Sequence, residues 1–279
     1  MSLRINNYAS QFANNNLRQT SASLDNSINK LSTGRRINRA ADDASGMVIS
    51  DSLNSQARGL GQSIRNANDS ISLLQVADGA LDESTNLLQQ IREKAIQAAS
   101  DVQTPESRQA IQSDINKMLD SLKMISDTTS FNGQQLLSGT FTDKQVQVGA
   151  ESGQTIGISI GSASPDQLGS AEGKSLSEIN VLTFEGAQEA IGIVDAALTD
   201  LGAVRSGIGS SQNQFESSVS TMMTTQINIQ AAESQIGDLD FAEETMNLAR
   251  MKVLQEAQVF AQVQAGKVNQ TQIKSLLQG

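Results

Sequence analysis

From about Ser45 to Ser100 the chain places apolar residues at alternating steps of four and three. Leu53, Ala57, Leu60, Ile64, Ala67, Ile71 and Leu74 follow without a miss. Leu81, Leu88 and Ala95 continue one column of this lattice, while the other becomes Asp78, Thr85 and Arg92. That spacing is the heptad of helices packed side by side, and a strand has no face that matches it. At about 1.5 Å per residue, a stretch of this length makes a rod about 80 Å long. A second lattice runs through Ala187, Ile191, Val194, Leu198, Leu201, Ile208, Phe215, Val219, Met222, Ile229 and Ile236, with Arg205, Gln212, Gln226 and Glu233 in its vacant slots. It predicts a second rod, matched in length to the first.

The segment between the rods must turn the chain around. Thr104-Pro105-Glu106 reads as an N-cap followed by proline at the first helical position, opening a helix with Ile111, Ile115, Met118, Leu122 and Ile125 on one face. Between Thr128 and Gly186 the chain holds nine of its 21 glycines and its second proline, Pro165. There Gln145 to Val148 and Thr155 to Ile160 alternate apolar and polar residues around Ala150-Glu151-Ser152-Gly153, predicting a β-hairpin within about 141–160. The fold class is therefore mainly α: long antiparallel rods in a coiled-coil-like bundle with one small hairpin.

The two ends of the chain look made to pack. Ala242, Met246, Ala249, Val253, Ala257 and Phe260 recur at helical spacing, and Val268, Ile273, Leu276 and Leu277 follow. Ala13, Leu17, Thr20, Leu24, Ile28 and Leu31 mark a similar face near the start, with Phe12 beside it and Gly34 where a C-cap is expected. Burying each such side chain stabilises by about 1.5–3 kcal/mol, but ordering the backbone costs about 1–2 kcal/mol per residue. The terminal segments therefore need partner helices. This divides the chain into 1–44, a central helical region 45–238, and 239–279.

Composition narrows the function. There is no cysteine and no histidine, so disulfides, thiol chemistry and the commonest general base and metal ligand are excluded. No catalytic, cofactor-binding or metal-binding residue is predicted. The net charge of −10 is uneven: residues 1–41 carry six Arg/Lys against one Asp, 240–279 balance at four each, and the acidic remainder reads as a solvated surface that does not bind nucleic acid. No apolar run reaches membrane-spanning length, and the Asn- and Gln-rich start has no signal-peptide core.

Three local features have a bland reading. Arg35-Arg36-Ile37-Asn38-Arg39 lacks interleaved aromatics and runs into Asp42-Asp43, which favours a structural turn over a nucleic-acid patch. Gly207-Ile208-Gly209 lies within the second rod with no preceding strand, unlike a phosphate loop. Asp42-Asp43 and Glu243-Glu244 are adjacent pairs that suit first helical turns better than two-carboxylate catalysis.

The run from Leu31-Ser32-Thr33-Gly34-Arg35-Arg36-Ile37-Asn38-Arg39 through Ala40-Ala41-Asp42-Asp43-Ala44-Ser45-Gly46 closely resembles the N-terminal signature of bacterial flagellins. Asn66 to Ala99, Phe131-Asn132-Gly133, Gln147-Val148-Gly149-Ala150, Ala203-Val204-Arg205-Ser206 with Gln212-Asn213, and Ser275-Leu276-Leu277 look like further flagellin landmarks in the family's order. The resemblance implies a structural subunit of the flagellar filament, exported unfolded and polymerised outside the cell, with no enzymatic activity and no cofactor. It implies that the terminal helices pair with each other on assembly, with a polymerisation interface formed by Phe12, Leu17, Leu24, Leu31, Met246, Val253, Phe260, Ile273, Leu276 and Leu277, and a hinge at Arg35, Arg36, Asn38, Asp42 and Asp43. The implied partners are further copies of the chain, an export chaperone and secretion apparatus, and the hook-associated junction and cap proteins. Nearest alternatives are a hook-filament junction protein and, from another class, a soluble helical binding module.

Two departures from the family pattern stand out. Only a short segment separates the helical halves, so the variable outer domains are absent and the filament surface is expected to be smooth and acidic. The segment Gln89 to Ile96 resembles the family's contact with the innate receptor Toll-like receptor 5, in which Arg92 and Glu93 are kept. Gln90 stands where the family has Arg, Lys94 where it has Leu and Asp114 where it has Glu, which implies weakened recognition.

Overall fold

A computed structural model describes residues 8–170 and 174–277, with side chains described for 11–170, 174–268, 270–271 and 274. The elements are α1 (Tyr8–Thr33), α2 (Ala44–Ala98), α3 (Pro105–Thr128), β1 (Ser130–Phe131), β2 (Gln134–Gln135), β3 (Lys144–Gln147), β4 (Thr155–Ile158), α4 (Phe184–Gly237) and α5 (Phe241–Leu277). They form two compact units, Met1–Ser55 with Asn228–Gly279 and Gln56–Ile227, so that α2 and α4 each contribute to both.

In the unit Gln56–Ile227, α2 and α4 run antiparallel. Arg92 meets Asp195, Arg205 meets Asp78, and the Gln226 side chain donates to the Ala57 carbonyl at 3.2 Å, which fixes the register at three levels. On α2 the column Leu60, Ala67, Leu74, Leu81, Leu88 and Ala95 is buried, as the lattice predicts. The second buried column differs from the expected one. It is Ser63, Ser70, Ala77, Ser84, Ile91 and Ala98, while Ile64 and Ile71 lie half-buried at its flank. The buried hydroxyls are all satisfied: Ser70 donates to the Asn66 carbonyl and Ser84 to the Ala80 carbonyl of their own helix, both at 2.9 Å, and Ser63 donates to the hairpin.

Helix α3 begins where the sequence places it: Thr104 Oγ1 accepts from the Ser107 amide at 3.2 Å, with Pro105 at the first position. Its face Ile111, Ile115, Leu119 and Leu122 is buried. Strands β3 and β4 pair antiparallel in the register Lys144 with Ile158 to Gln147 with Thr155. This hairpin is moored to α2, since Ser63 Oγ donates to the Gly149 carbonyl at 2.9 Å and Asn66 Nδ2 to the Gln147 carbonyl at 3.3 Å. A shorter ladder, β1 with β2, turns through Asn132 and Gly133, both at positive φ. Leu136, Leu137, Ile158, Ile160 and Leu168 then fill the core between the hairpins and the helices.

In the other unit α1 packs along α5. Helix α1 stops at Gly34, whose φ of +69° supplies the left-handed C-cap that the sequence suggests.

Candidate functional site

The seam between α1 and α5 is more polar than the stripes on either helix would suggest. Ala13, Leu17, Thr20, Leu24 and Leu31 of α1 are half-buried. On α5 the half-buried residues are Glu244, Asn247, Leu248, Met251, Gln255, Gln258, Gln262 and Ala265. Gln255 Nε2 donates to Ser21 Oγ at 3.2 Å and Gln262 Nε2 to Asn14 Oδ1. Gln258 Oε1 is buried without a hydrogen-bond partner among the described residues. The apolar stripe read from the sequence lies on the opposite side of α5: Met246 is 64% exposed, Val253 64% and Phe260 74%, and Phe12 of α1 is 69% exposed. Leu254, Val259, Val263 and Val268 of α5 are exposed as well. Of the expected interface residues, Phe12, Met246, Val253 and Phe260 thus point to solvent, whereas Leu17, Leu24 and Leu31 are half-buried. Ile273, Leu276 and Leu277 lie outside the described side chains.

The expected hinge residues form a cross-linked knuckle. The connector after α1 and the one before α5 pair through their backbones: the Arg36 amide donates to the Gly237 carbonyl at 2.8 Å and the Leu239 amide to the Gly34 carbonyl at 3.0 Å. The Arg36 guanidinium donates twice to the Ile236 carbonyl, at 3.1 and 2.7 Å, and lies 3.7 Å from Asp43. That carbonyl is near the C-terminal end of α4, where a cation also complements the helix dipole. Arg35 reaches Glu233 at 3.4 Å, and Glu233 also accepts from Ser50 Oγ at 3.1 Å. Asn38 Nδ2 donates to Thr33 Oγ1 at 2.8 Å.

Asp42 accepts from the amides of Asn38 and Arg39, at 3.1 and 3.0 Å. The Asn38 amide is the leading cause that holds its carboxyl below the ordinary carboxylate value, against a weaker upward push from burial. Asp43 Oδ1 accepts from the Gly46 amide at 2.9 Å and so starts α2. A side chain at Gly46 would meet both the Asp43 carboxylate and the Ile37 methyl, which accounts for glycine there.

In the second unit Gln90 and Glu93 are exposed. Arg92 Nε donates to Asp195 Oδ1 at 2.6 Å and Nη2 to Oδ2 at 3.4 Å, and this hydrogen bonding to Asp195 is the leading cause that raises its pKa. Lys94 lies 3.4 Å from Asp114. The residues resembling the receptor contact are therefore partly tied into ion pairs within the chain. The sequence missed these partners because Asp195 is distant along the chain.

Charge is divided unevenly between the two units. Met1–Ser55 with Asn228–Gly279 contain ten Lys/Arg and ten Asp/Glu, whereas Gln56–Ile227 contain ten and twenty. The whole net charge of −10 thus resides in one unit. Among the described residues no helix is long and apolar enough to cross a membrane.

A neutral helical pair with an uncovered apolar stripe, joined by continuous helices to an acidic bundle, defines a class of helical protein with an exposed surface of the kind that marks an interaction site. Residues 5–142 match the family model of the bacterial flagellin N-terminal helical region, and residues 191–277 that of the C-terminal helical region. The chain belongs to the bacterial flagellin family. It is 36% identical over 249 residues to the flagellin of Halalkalibacterium halodurans, covering 89% of this chain and 90% of that one. It is 34% identical over 268 residues to the flagellar filament 30.7 kDa core protein of Treponema maltophilum, covering 93% and 94%. Flagellin B of Helicobacter pylori is 53% identical over 172 residues, 61% of this chain, but the chain spans only 34% of that relative's length. Among solved structures, Bacillus cereus flagellin aligns with a TM-score of 0.50 at 25% identity, over 61% of this chain and 94% of that one. A hook-associated protein from Vibrio parahaemolyticus reaches a TM-score of 0.61 at 16% identity, which is a likeness of fold.

Proposed function

We propose that the chain is a structural subunit of the bacterial flagellar filament, exported unfolded and polymerised outside the cell for swimming motility. The observation that carries this reading is the stripe Met246, Val253 and Phe260, with Phe12, left uncovered in a chain of this family. A relative at 34% identity over nearly its whole length is named for a filament core, which supports the same reading.

In the filament, residues 1–44 and 239–279 form the inner tube and 45–238 the wall around it. The stripe, continued by Ile273, Leu276 and Leu277, is the polymerisation interface, with Leu17, Leu24 and Leu31 holding α1 against α5. Arg35, Arg36, Asn38, Asp42 and Asp43 set the angle between the layers. An export chaperone, the secretion apparatus and the hook-associated junction and cap proteins are its further partners. No bond is made or broken by the protein. Recognition by Toll-like receptor 5 is weak, because Gln90 and Lys94 replace a guanidinium and an apolar anchor, and Arg92 is engaged by Asp195.

Electron microscopy of purified chain added to sheared filament seeds tests the central reading, with a chain ending at Leu239 and a Phe260→Asp variant alongside. Long filaments from the full chain, and none from the other two, are expected. Growth of the chain ending at Leu239 at the full-length rate would sink the reading.

A further inference from the structure

The exposed stripe on α5 contains one side chain whose polarity can change after the chain has folded. The protein has eight methionines and no cysteine, so its oxidisable sulfur is all thioether. Three of these sulfurs stand in the open: Met124 and Met246 are each 64% exposed and Met223 is 51% exposed. Met222 is buried, and Met47, Met118 and Met251 are half-buried. An oxidant must touch the sulfur to react, so among the described side chains Met124, Met223 and Met246 are the ones it reaches first.

The three differ in their setting. Met124 and Met223 belong to the acidic unit Gln56–Ile227, whereas Met246 belongs to the neutral one. Met246 is the first large member of the stripe, one heptad before Val253, which stands one heptad before Phe260. Its neighbours on the same face, Ala242 and Ala249, are small and exposed, so neither screens it. A thioether on such a surface is a soft apolar knob that suits burial against another copy. A sulfoxide is polar and chiral, and its oxygen is costly to bury without a donor.

Resting on the filament reading, we propose that Met246 is an oxidation site through which peroxides halt assembly of the free chain, and that the finished filament shields it. With hydrogen peroxide the lone pair of Sδ attacks one peroxide oxygen. The O–O bond breaks as the S–O bond forms, and the proton on the attacked oxygen passes to the departing hydroxide. The thioether is thereby oxidised by two electrons to the sulfoxide, and the peroxide is reduced to water. Methionine sulfoxide reductases reverse the change at the expense of a pair of thiols, which become a disulfide as the oxygen leaves in water. The site is open from the folding of α5 until a neighbouring copy covers the stripe.

A partly oxidised sample tests this without any substitution. Purified chain is treated with hydrogen peroxide, cleared of it with catalase and offered filament seeds. After sedimentation, mass spectrometry of the peptides is expected to find Met246 sulfoxide at least tenfold rarer in the filaments than in the unassembled chain. Equal shares overturn the proposal. Fully oxidised wild type should grow at least tenfold more slowly than untreated chain, and methionine sulfoxide reductases with dithiothreitol should restore it. Met246→Leu keeps an apolar side chain of similar volume and should grow at its untreated rate after the same oxidation. Met124→Leu and Met223→Leu should remain as sensitive as the wild type. A Met246→Leu chain that is equally sensitive, or Met246 oxidised as fast in filaments as in the free chain, overturns the proposal and leaves the filament reading standing. Failure of the untreated wild type to grow from seeds overturns both.

Discussion

Arg205 on α4 places Nε 3.0 Å from Asp78 Oδ1 on α2, and each of these residues is one of the interruptions in its own helix's apolar lattice. The same guanidinium reaches Asp82 through Nη1 at 3.0 Å. Hydrogen bonding to Asp78 is the leading cause that raises the Arg205 pKa. The side chains are about a third to two thirds exposed, so solvent screens most of the attraction.

Arg205→Ala is expected to lower stability by about 0.5–1 kcal/mol, or roughly 2–4 °C per kcal/mol for a domain of this size. A double-mutant cycle with Asp78→Ala checks the pairing. Strictly additive effects would show that the two interruptions do not recognise each other.

The seam column of small residues makes a sharper prediction. Ser84 is fully buried and its hydroxyl is spent on its own helix. Ser84→Leu, which would improve the apolar lattice on paper, is expected to destabilise by about 1–3 kcal/mol by forcing the helices apart. Ser84→Ala should stay within about 1 kcal/mol of wild type. Urea unfolding of the two variants decides it, and a stabilised leucine variant would count against close packing here.

Asp42 gives the knuckle an acid limit. Its folded-state pKa is lowered by the Asn38 and Arg39 amides, so its contribution is fully present above the unfolded carboxylate value of about 3.9 and is lost as pH falls through the lower folded value. Protection of the Asn38 and Arg39 amides from exchange, relative to their intrinsic rates at each pH, is expected to fall in that acid window. Asp42→Asn should lower that protection at neutral pH and leave it nearly independent of acid. Identical acid profiles in the two proteins would remove Asp42 from this role.

Weak receptor recognition is testable by gain of function. Gln90→Arg together with Lys94→Leu adds a bidentate donor and an apolar anchor, and should raise potency in a Toll-like receptor 5 reporter assay at least tenfold. A wild-type chain already at the plateau of a strong activator would contradict the premise.

How far the sequence could be read depended on what each position contributes. Leu60, Leu74, Leu81 and Leu88 announced their burial because a large apolar side chain has one plausible place to go. Ser63, Ser70 and Ser84 did not, since a serine looks the same on a surface as in a tight seam, and only the neighbouring helix distinguishes them. The Met246, Val253 and Phe260 stripe was legible as a face, but not which way it points: α1 lies against the glutamine side instead. Arg35, Arg36 and Asp42 were recognisable as a turn. Their targets, Glu233 and the Ile236 carbonyl, come from the far end of the sequence and could not be read from it.

The glutamine-lined seam also decides how easily the two terminal helices come apart. Parting α1 from α5 returns the amides of Gln255 and Gln262 to water, which accepts their hydrogen bonds in place of Ser21 and Asn14, so the loss is small. Leu17, Leu24 and Leu31 still resist the parting, but the larger apolar surface, Met246, Val253 and Phe260, lies outside the pair and gives it no hold.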